Sequence, residues 1–579
     1  MKKLEHKVDF CVIGGGLAGL CAAVAAARKG LKVALIHDRP VLGGNASSEI
    51  RMWIGGAHGR DKAETGILEE IMLENLWRNP LANYSIWDTV LYEKACLEPG
   101  LSLFLNCSVN AVESDGDRIR SVTGWQLTTE TWHRVEAPYF ADCTGDGLPG
   151  ALAGAEFRLG REARGEFNED IAPDVADRKT MGMSCLLQLR EHDKPQSFVK
   201  PDWAYTYPTD ASLNGRNHGK TGDNFWWIEV GGDQDVLHDA ETCRDELLKI
   251  ALGVWDHIKN QGDHGMANWS LDWLGFLPGK RESRRFVGEH VLNQNDVRSG
   301  GRFDDLVAYG GWSMDDHFPE GFHHPGKGTI FHPAPSPYGI PLRSLYSRNI
   351  KNLFFAGRNM SATHTAMSSA RVMATCAICG QAVGTAAALA YRYALMPGDV
   401  YQQRLKELQQ VLMEDDCWLP GFVRAIPALS KQATLSASCG DPEPLRNGMD
   451  RPAGDAVNCW CGAPGAEVTY DFGAVCRVAR VRLVFDSDLN RGGGCGRAGM
   501  DWRYSPGAPD KVVPATLVQA FRLEALDGQG RWHIVAQEKS NRRRLVNLSL
   551  DVNSRAIRFI PESTWGDPVV RVFGFEVSD

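Results

Sequence analysis

The six residues Gly14-Gly15-Gly16-Leu17-Ala18-Gly19 constrain this chain more than any other stretch. They follow Val8-Asp9-Phe10-Cys11-Val12-Ile13, a short apolar run rich in β-formers that predicts a buried strand. Leu17 to Lys29 is alanine-rich and predicts a helix closed by Gly30, after which Lys32 to His37 resumes as a second strand. A β-α-β unit with this turn is suited to a pyrophosphate. Gly14 allows the tight bend, Gly16 leaves room for the phosphates, and Gly19 lets the helix pack close to the strand. The free N–H groups of the helix start, at Leu17 and Ala18, supply donors. The residue ending the second strand is usually acidic and binds ribose hydroxyls. Here it is His37, followed by Asp38 and Arg39.

At 579 residues the chain exceeds one ordinary domain. Its 43% hydrophobic and 23% charged residues are those of a soluble globular protein, and the net charge of −9 offers no basic face for nucleic acid. No signal-like apolar region precedes the first strand, and no apolar run reads as a bilayer span. Fifteen scattered cysteines fit a reducing compartment, so the expectation is a cytoplasmic protein without membrane insertion.

Three later segments select the dinucleotide. Leu42-Gly43-Gly44-Asn45-Ala46-Ser47-Ser48-Glu49 follows the second strand. Tyr139-Phe140-Ala141-Asp142-Cys143-Thr144-Gly145-Asp146-Gly147 is a strand with a TGDG turn. Asn352-Leu353-Phe354-Phe355-Ala356-Gly357-Arg358 is a strand ending in glycine, before a long Ala/Gly helix from Met373 to Tyr393. With Arg39-Pro40-Val41-Leu42, the Thr363-His364 loop and the Arg371 to Gly384 stretch, these resemble the bacterial FAD-dependent oxidoreductase family, with its glutathione-reductase-like FAD fold. The resemblance covers the chain to about residue 400 and is specific for FAD, not for a substrate. It implies non-covalent FAD held by Gly43, Gly44, Asn45, Ser48, Thr144, Gly145, Gly357, Met373 and Ala374. Val109 is expected at the adenine, and Arg358 stands where many relatives have an aspartate.

The expected fold is α/β. A Rossmann-like FAD-binding domain spans 1–154 and 346–398, with an α+β substrate domain inserted at 155–345 and a helical linker at 399–432. Thr65 to Asn79 predicts an amphipathic helix, Leu101 to Val112 a strand, Phe225 to Val230 a strand and Ala240 to Gln261 a helix. Beyond Ala433, alternating strands with Gly, Asp and Asn turns predict an all-β sandwich at 433–579, which resembles galactose-binding-like domains.

Flavin oxidoreduction needs a C–H bond placed over the ring and a group for the coupled proton. His364 is the expected base, because imidazole accepts a proton near neutral pH. Arg371 is expected to stabilise negative charge on substrate or cofactor. In Gly279 to Gly288, Arg284 and Arg285 read equally as an ion-paired patch or as an anchor for an anionic or polyhydroxy substrate. Glu282, His323, His324 and His332 are the reserve bases. Asp315 to Pro333 carries four histidines but no tight ligand spacing, so it reads as a loop over the active site and no metal is expected. Cys376 and Cys379 form a CxxC that reads as helix packing before it reads as a redox relay.

The expected activity is oxidation of a hydroxyl on a sugar, glycoside or polyol. The alternatives are reduction of an activated C=C bond with an arginine acid, and a non-catalytic carbohydrate-binding scaffold. The electron acceptor stays open, as does the oligomeric state, a homo-oligomer included.

Overall fold

A computed structural model describes residues 1–219, 222–492, 500 and 507–579. The predicted β-α-β unit is present as β1 (Phe10–Ile13), α1 (Leu17–Arg28) and β2 (Val33–Ile36). With β3 (Leu101–Phe104), β4 (Tyr139–Asp142) and later β5 (Leu353–Phe355) they make a five-stranded parallel sheet in the order β5-β4-β1-β2-β3. Phe10 lies opposite both Val33 and Tyr139, and Ile13 opposite Ile36 and Asp142. All residues of β1, β2 and β4 are buried, which is why these strands read as unbroken apolar runs.

The predicted strand at 101–112 is two strands, Leu101–Phe104 and Cys107–Asp115, because Asn106 takes a left-handed φ of 53° between them. The second joins Arg118–Gln126, Thr131–Glu136 and the N-terminal Lys2–Lys7 in a four-stranded sheet. Between 155 and 345 the chain forms two- and three-stranded sheets and the helix α2 (Ala240–Asp256). A π-helical turn, His257–Gln261, continues that helix. Only Glu229–Val230 of the predicted strand at 225–230 is extended.

After β5 come α3 (His364–Ala370) and α4 (Met373–Tyr393). Helices α1 and α4 cross with backbones nearly touching, since a Cβ on Gly380 would lie 2.0 Å from the Ala18 carbonyl oxygen and one on Gly384 2.1 Å from that of Ala22. Contrary to the sequence reading, α4 is long and apolar enough to cross a membrane. Yet it is almost wholly buried inside the protein, so packing accounts for its composition. Cys376 and Cys379 are free thiols within it, and burial pushes Cys376 up to about 12, the opposite of a reactive thiolate.

The chain divides into two compact units. The first holds Met1–Ala57 and Leu81–Leu408, and so includes both the nucleotide-binding sheet and the stretch 155–345. The second holds His58–Pro80, Gln409–Gly496 and Lys511–Asp579 over its described residues, so the boundary falls inside the helix Pro397–Glu414, within the stretch expected as a helical linker.

In the second unit, two long antiparallel strands, Val468–Phe485 and Leu545–Thr564, pair along most of their length and shift register at Asp471/Cys476 and Val478/Arg480. On one side of the shifts they join Thr434–Ala437 and Val518–Leu526. On the other they join Val570–Ser578, and through it Trp460–Gly462. The resulting layers share one core, with Phe559 and Phe575 centroids 5.7 Å apart and Phe485 and Phe521 5.4 Å apart. The helix Ile67–Arg78, predicted from its periodicity, contributes Leu73 and Leu76 to this core, and its Glu74 accepts from Arg542 at 2.6 Å.

A chain shortened to end at Pro397 strips that helix of its partner. It is expected to retain a complete cofactor groove but to aggregate through Leu73 and Leu76, and Leu73→Lys with Leu76→Lys should restore solubility. Gel filtration with flavin absorbance checks both parts, and loss of flavin from the soluble double variant would contradict the assignment of the groove to the first unit.

Candidate active site

The glycine turn is braced from three sides. Gly14 has φ 103° and a Cβ there would meet the Cys143 carbonyl oxygen at 2.3 Å. Gly43, also left-handed at φ 109°, donates its N–H to the Gly15 carbonyl at 2.8 Å. The Gly15 N–H donates to Nδ1 of His37 at 3.0 Å, and His37 Nε2–H donates to the Val41 carbonyl at 3.0 Å. Burial, with Arg39 nearby, lowers the His37 imidazole to about 4. Nδ1 lies 3.3 Å from Asp38, but it is occupied as an acceptor, so the neutral ring braces the loop instead of forming an ion pair. His37 therefore shapes the turn, and the neighbouring Asp38 is exposed.

From this turn runs a groove of about 450 Å³. It is lined by Gly14, Gly16, Leu17, Ala18, His37, Asp38, Arg39, Gly43, Gly44, Asn45, Val109, Thr144, Gly145, Gly357, Arg358 and Met373, all expected from sequence. Three expected residues lie outside it. Gly19 faces the Gly14 carbonyl, where its Cβ would sit at 1.8 Å, so its task is packing. Ser48 donates its N–H to Asp88, and Ala374 donates its N–H to the Gly55 carbonyl. The groove fits a pyrophosphate. A Cβ on Gly16 would meet nothing within 4 Å, and α1 begins there without an acidic first-turn residue or a side-chain cap.

The TGDG turn is held by a residue the sequence reading passed over. Asp142 is fully buried and accepts from Thr144 N–H at 3.0 Å, Thr144 Oγ1 at 2.7 Å and Gly150 N–H at 2.9 Å. Asn359 Nδ2 also donates to it at 3.1 Å. Its neighbour Asp146 takes Lys280 at 2.8 Å and Arg358 at 2.6 Å. Burial alone would raise Asp146, but these two cations hold its carboxyl well below the usual range. Arg358 is thus ion-paired with Asp146.

A second cavity of about 430 Å³ shares Asn45, Lys280, Arg358, Arg371 and Met373 with the groove. Its apolar walls are led by Trp53, Trp226, Trp312 and Phe331, and its polar lining includes Ser184, Arg281, Asp315, His317 and Arg371. His317 lies 2.7 Å from buried Glu229 through Nδ1, so Nδ1–H donates to the carboxylate and the Nε2 lone pair is left for the cavity. Burial lowers the His317 imidazole from its ordinary value, with Arg281 and Arg371 acting in the same direction against Glu229. Glu229, which burial would raise, is held at about 2 by Arg281 and His317. Arg281 donates to Ser184 Oγ at 2.9 Å and to the Trp226 carbonyl at 2.8 Å. Asp315 accepts from Trp312 Nε1 at 2.5 Å and Ser313 Oγ at 2.6 Å. Arg371 borders both cavities, and its buried Nε has no hydrogen-bond partner. Burial and Arg281 lower Arg371 to about 10.

His364, the expected base, lies outside both cavities. Its Nδ1 is 2.8 Å from Glu282 and its Nε2 3.4 Å from Asp316, so both ring nitrogens donate to carboxylates. Burial would lower it, but Glu282 and Asp316 raise it to about 10, leaving an imidazolium with no lone pair at neutral pH. Glu282, fully buried, is taken by His364, Arg285 and the Met181 N–H, so it is no base either. Arg285 is also fully buried and bonds Glu162, Glu282 and the Gly160 carbonyl. Of the two readings of the basic cluster, the ion-paired one holds for Arg285. Arg284 lines the cofactor groove, not the substrate cavity, and donates to the Asp146 carbonyl at 3.0 Å. Within 315–332, Asp315, His317 and Phe331 line the cavity and His323, His324 and His332 do not. His317 was visible in the sequence only as one histidine among four in this stretch, because its partner Glu229 is 88 residues away.

Residues 9–412 match the family model described as FAD dependent oxidoreductase. The chain belongs to that family. It is accordingly a FAD-dependent oxidoreductase. Among curated proteins it is similar to glycerol-3-phosphate dehydrogenase of Mycobacterium leprae and glycerol-3-phosphate dehydrogenase 2 of Mycobacterium bovis, each 39% identical over 69 residues. Those matches span 12% of this chain and 12% of each relative. Solved structures similar to its C-terminal region include the family 32 carbohydrate-binding module of Streptococcus pneumoniae EndoD, at 15% identity and a TM-score of 0.20 over 26% of this chain and 97% of that one. Another is the family 32 module of Clostridium perfringens NanJ in complex with galactose, at 10% identity and a TM-score of 0.19 over 26% and 95%.

Proposed function

We propose that this flavoenzyme binds FAD non-covalently and oxidises a hydroxyl group of a small polyhydroxylated substrate, a sugar, glycoside or polyol, with His317 as the base. The observation that carries this reading is the Glu229–His317 pair aimed into a tryptophan-lined cavity. Bound FAD supplies a hydride acceptor at N5 of its ring. The protein's own part is to hold the hydroxyl carbon toward the shared wall at Met373 and to take the hydroxyl proton on His317 Nε2. Glu229 fixes the tautomer and stabilises the imidazolium that results. Trp53, Trp226 and Trp312 present flat apolar faces to the C–H side of a sugar ring, while Arg281, Asp315 and Lys280 offer polar atoms to its hydroxyls. Arg371, with an unspent donor at the junction, is placed to steady negative charge that develops there.

One observation favours a second reading, reduction of an activated C=C bond. Arg371, lowered to about 10, is a better proton donor than an ordinary guanidinium. Anaerobic mixing with a panel of sugars, polyols, hydroxy acids and enoates separates the two. Bleaching of the flavin by a polyol or sugar supports hydroxyl oxidation. Reoxidation of reduced flavin by an enoate, with no bleaching by any alcohol, would replace it with the second reading.

A further inference from the structure

Away from both cavities, four side chains converge on one point. Asp210, His218, His257 and His264 each direct a ligand atom to within 4.8 Å of all the others. Asp210 Oδ1 lies 3.1 Å from His257 Nε2, 3.5 Å from His218 Nε2 and 3.9 Å from His264 Nε2. The three imidazole centroids are 4.8–5.2 Å apart.

The ring tautomers turn lone pairs toward one centre. His257 Nδ1 sits 2.7 Å from the Tyr207 carbonyl and His218 Nδ1 2.7 Å from the Arg216 carbonyl. A carbonyl only accepts, so each Nδ1 carries the hydrogen, and in the neutral rings each Nε2 points a lone pair at the carboxylate. His264 Nε2 is buried and has no hydrogen-bond partner among the described residues. A single divalent ion satisfies all four atoms together. Carbonyl-anchored Nδ1–H groups are also how metal-bound histidines are oriented.

We infer that Asp210, His218, His257 and His264 form a structural zinc site. Four-coordinate zinc with Zn–N and Zn–O bonds of about 2.0–2.2 Å has tetrahedral edges of about 3.3–3.5 Å, close to the three spacings around Asp210 Oδ1. Three nitrogens and one oxygen, with no thiolate, suit this ion, and four protein ligands leave no open catalytic position. The largely exposed Asp210 gives the ion an entry path.

The site ties together three stretches: the 3₁₀ turn and loop at 210–218, the π-helical turn that extends α2, and the turn at 262–264. Arg216, two residues before a ligand, donates to the carbonyls of Gly321, His324 and Gly326. That loop leads into Thr329–His332, whose Phe331 lines the substrate cavity. Zinc would therefore stiffen a wall of the cavity without touching the reacting groups.

The test uses the full-length, flavin-loaded protein. Incubation with zinc chloride, removal of excess by gel filtration and elemental analysis should give one zinc per chain. His257→Ala and His264→Gln should each lose it while flavin absorbance is kept. Cobalt(II) added after chelator treatment should give the visible bands of a tetrahedral nitrogen and oxygen site. Failure of the wild type to retain zinc, or full retention by a folded His264→Gln, would overturn the site. If His257→Ala does not fold, His264→Gln and the cobalt spectrum of wild type still decide it.

Discussion

Replacing His317 by alanine is expected to slow reduction of the bound flavin by about 10²–10⁴-fold, the worth of a positioned base. FAD content should be unchanged, because His317 lines the substrate cavity and not the cofactor groove. The pH dependence carries the sign of its environment. Burial holds the imidazole below its ordinary 6.5, so it is neutral and able to accept a proton through the neutral range. The wild-type reduction rate should rise with pH through an apparent pKa below 6.5 and then stay level, and the variant should lose that rise. Stopped-flow reduction by any substrate that bleaches the flavin anaerobically checks both. Near-wild-type reduction with the rise intact would remove His317 from the chemistry.

His364→Gln is the control, and it should act on stability instead. The folded His364 is raised to about 10 against an unfolded value near 6.5. Its ion pairs therefore contribute fully below pH 6.5, and the contribution is lost as pH rises through about 10. Thermal unfolding of the wild type should show that loss across this window, and the variant should not. Breaking such a buried pair leaves Glu282 without its partner, so the variant should be less stable at neutral pH.

The contrast between these two histidines marks how far the sequence could be read. The β-α-β turn, the GG loop and the TGDG turn are local, with each motif's function fixed by backbone within a few residues, so the groove was legible almost residue by residue. Catalytic polarity is not local. Glu229 and His317 meet over 88 positions, and His364 is charged by Glu282 and Asp316, 82 and 48 positions away. Nothing within five residues of His364 distinguishes an accessible base from a buried cation. The same applies to Arg284 and Arg285, adjacent in sequence yet set on different tasks: Arg284, just before the two-residue strand Arg285–Phe286, bonds the Asp146 carbonyl, and Arg285 bonds buried Glu162. The helix at 67–78 was legible as amphipathic, but periodicity does not say which core receives Leu73. The four ligands at 210–264 were missed because spacings of eight, thirty-nine and seven residues match no short metal motif.

Gly16→Val is expected to give a folded, colourless protein. Gly16 has φ −63° and ψ 174°, an extended conformation that valine adopts readily. Its Cβ would meet nothing within 4 Å, so the protein itself tolerates the side chain. What the isopropyl group fills is the space in front of the first N–H groups of α1, where the pyrophosphate of FAD would lie. Loss of two charge-assisted hydrogen bonds, at about 1.5–3 kcal/mol each, weakens binding by about 10²–10⁴-fold. Gly19→Val tests the same turn in the opposite sense. Its Cβ would fall 1.8 Å from the Gly14 carbonyl oxygen, so that change should prevent α1 from docking and remove the soluble protein altogether. Visible absorbance and FAD titration of Gly16→Val, beside its circular dichroism, separate cofactor loss from unfolding. A yellow Gly16→Val protein would place the phosphates elsewhere in the groove, and a soluble, flavin-bound Gly19→Val would mean that helix and strand are not held at this distance.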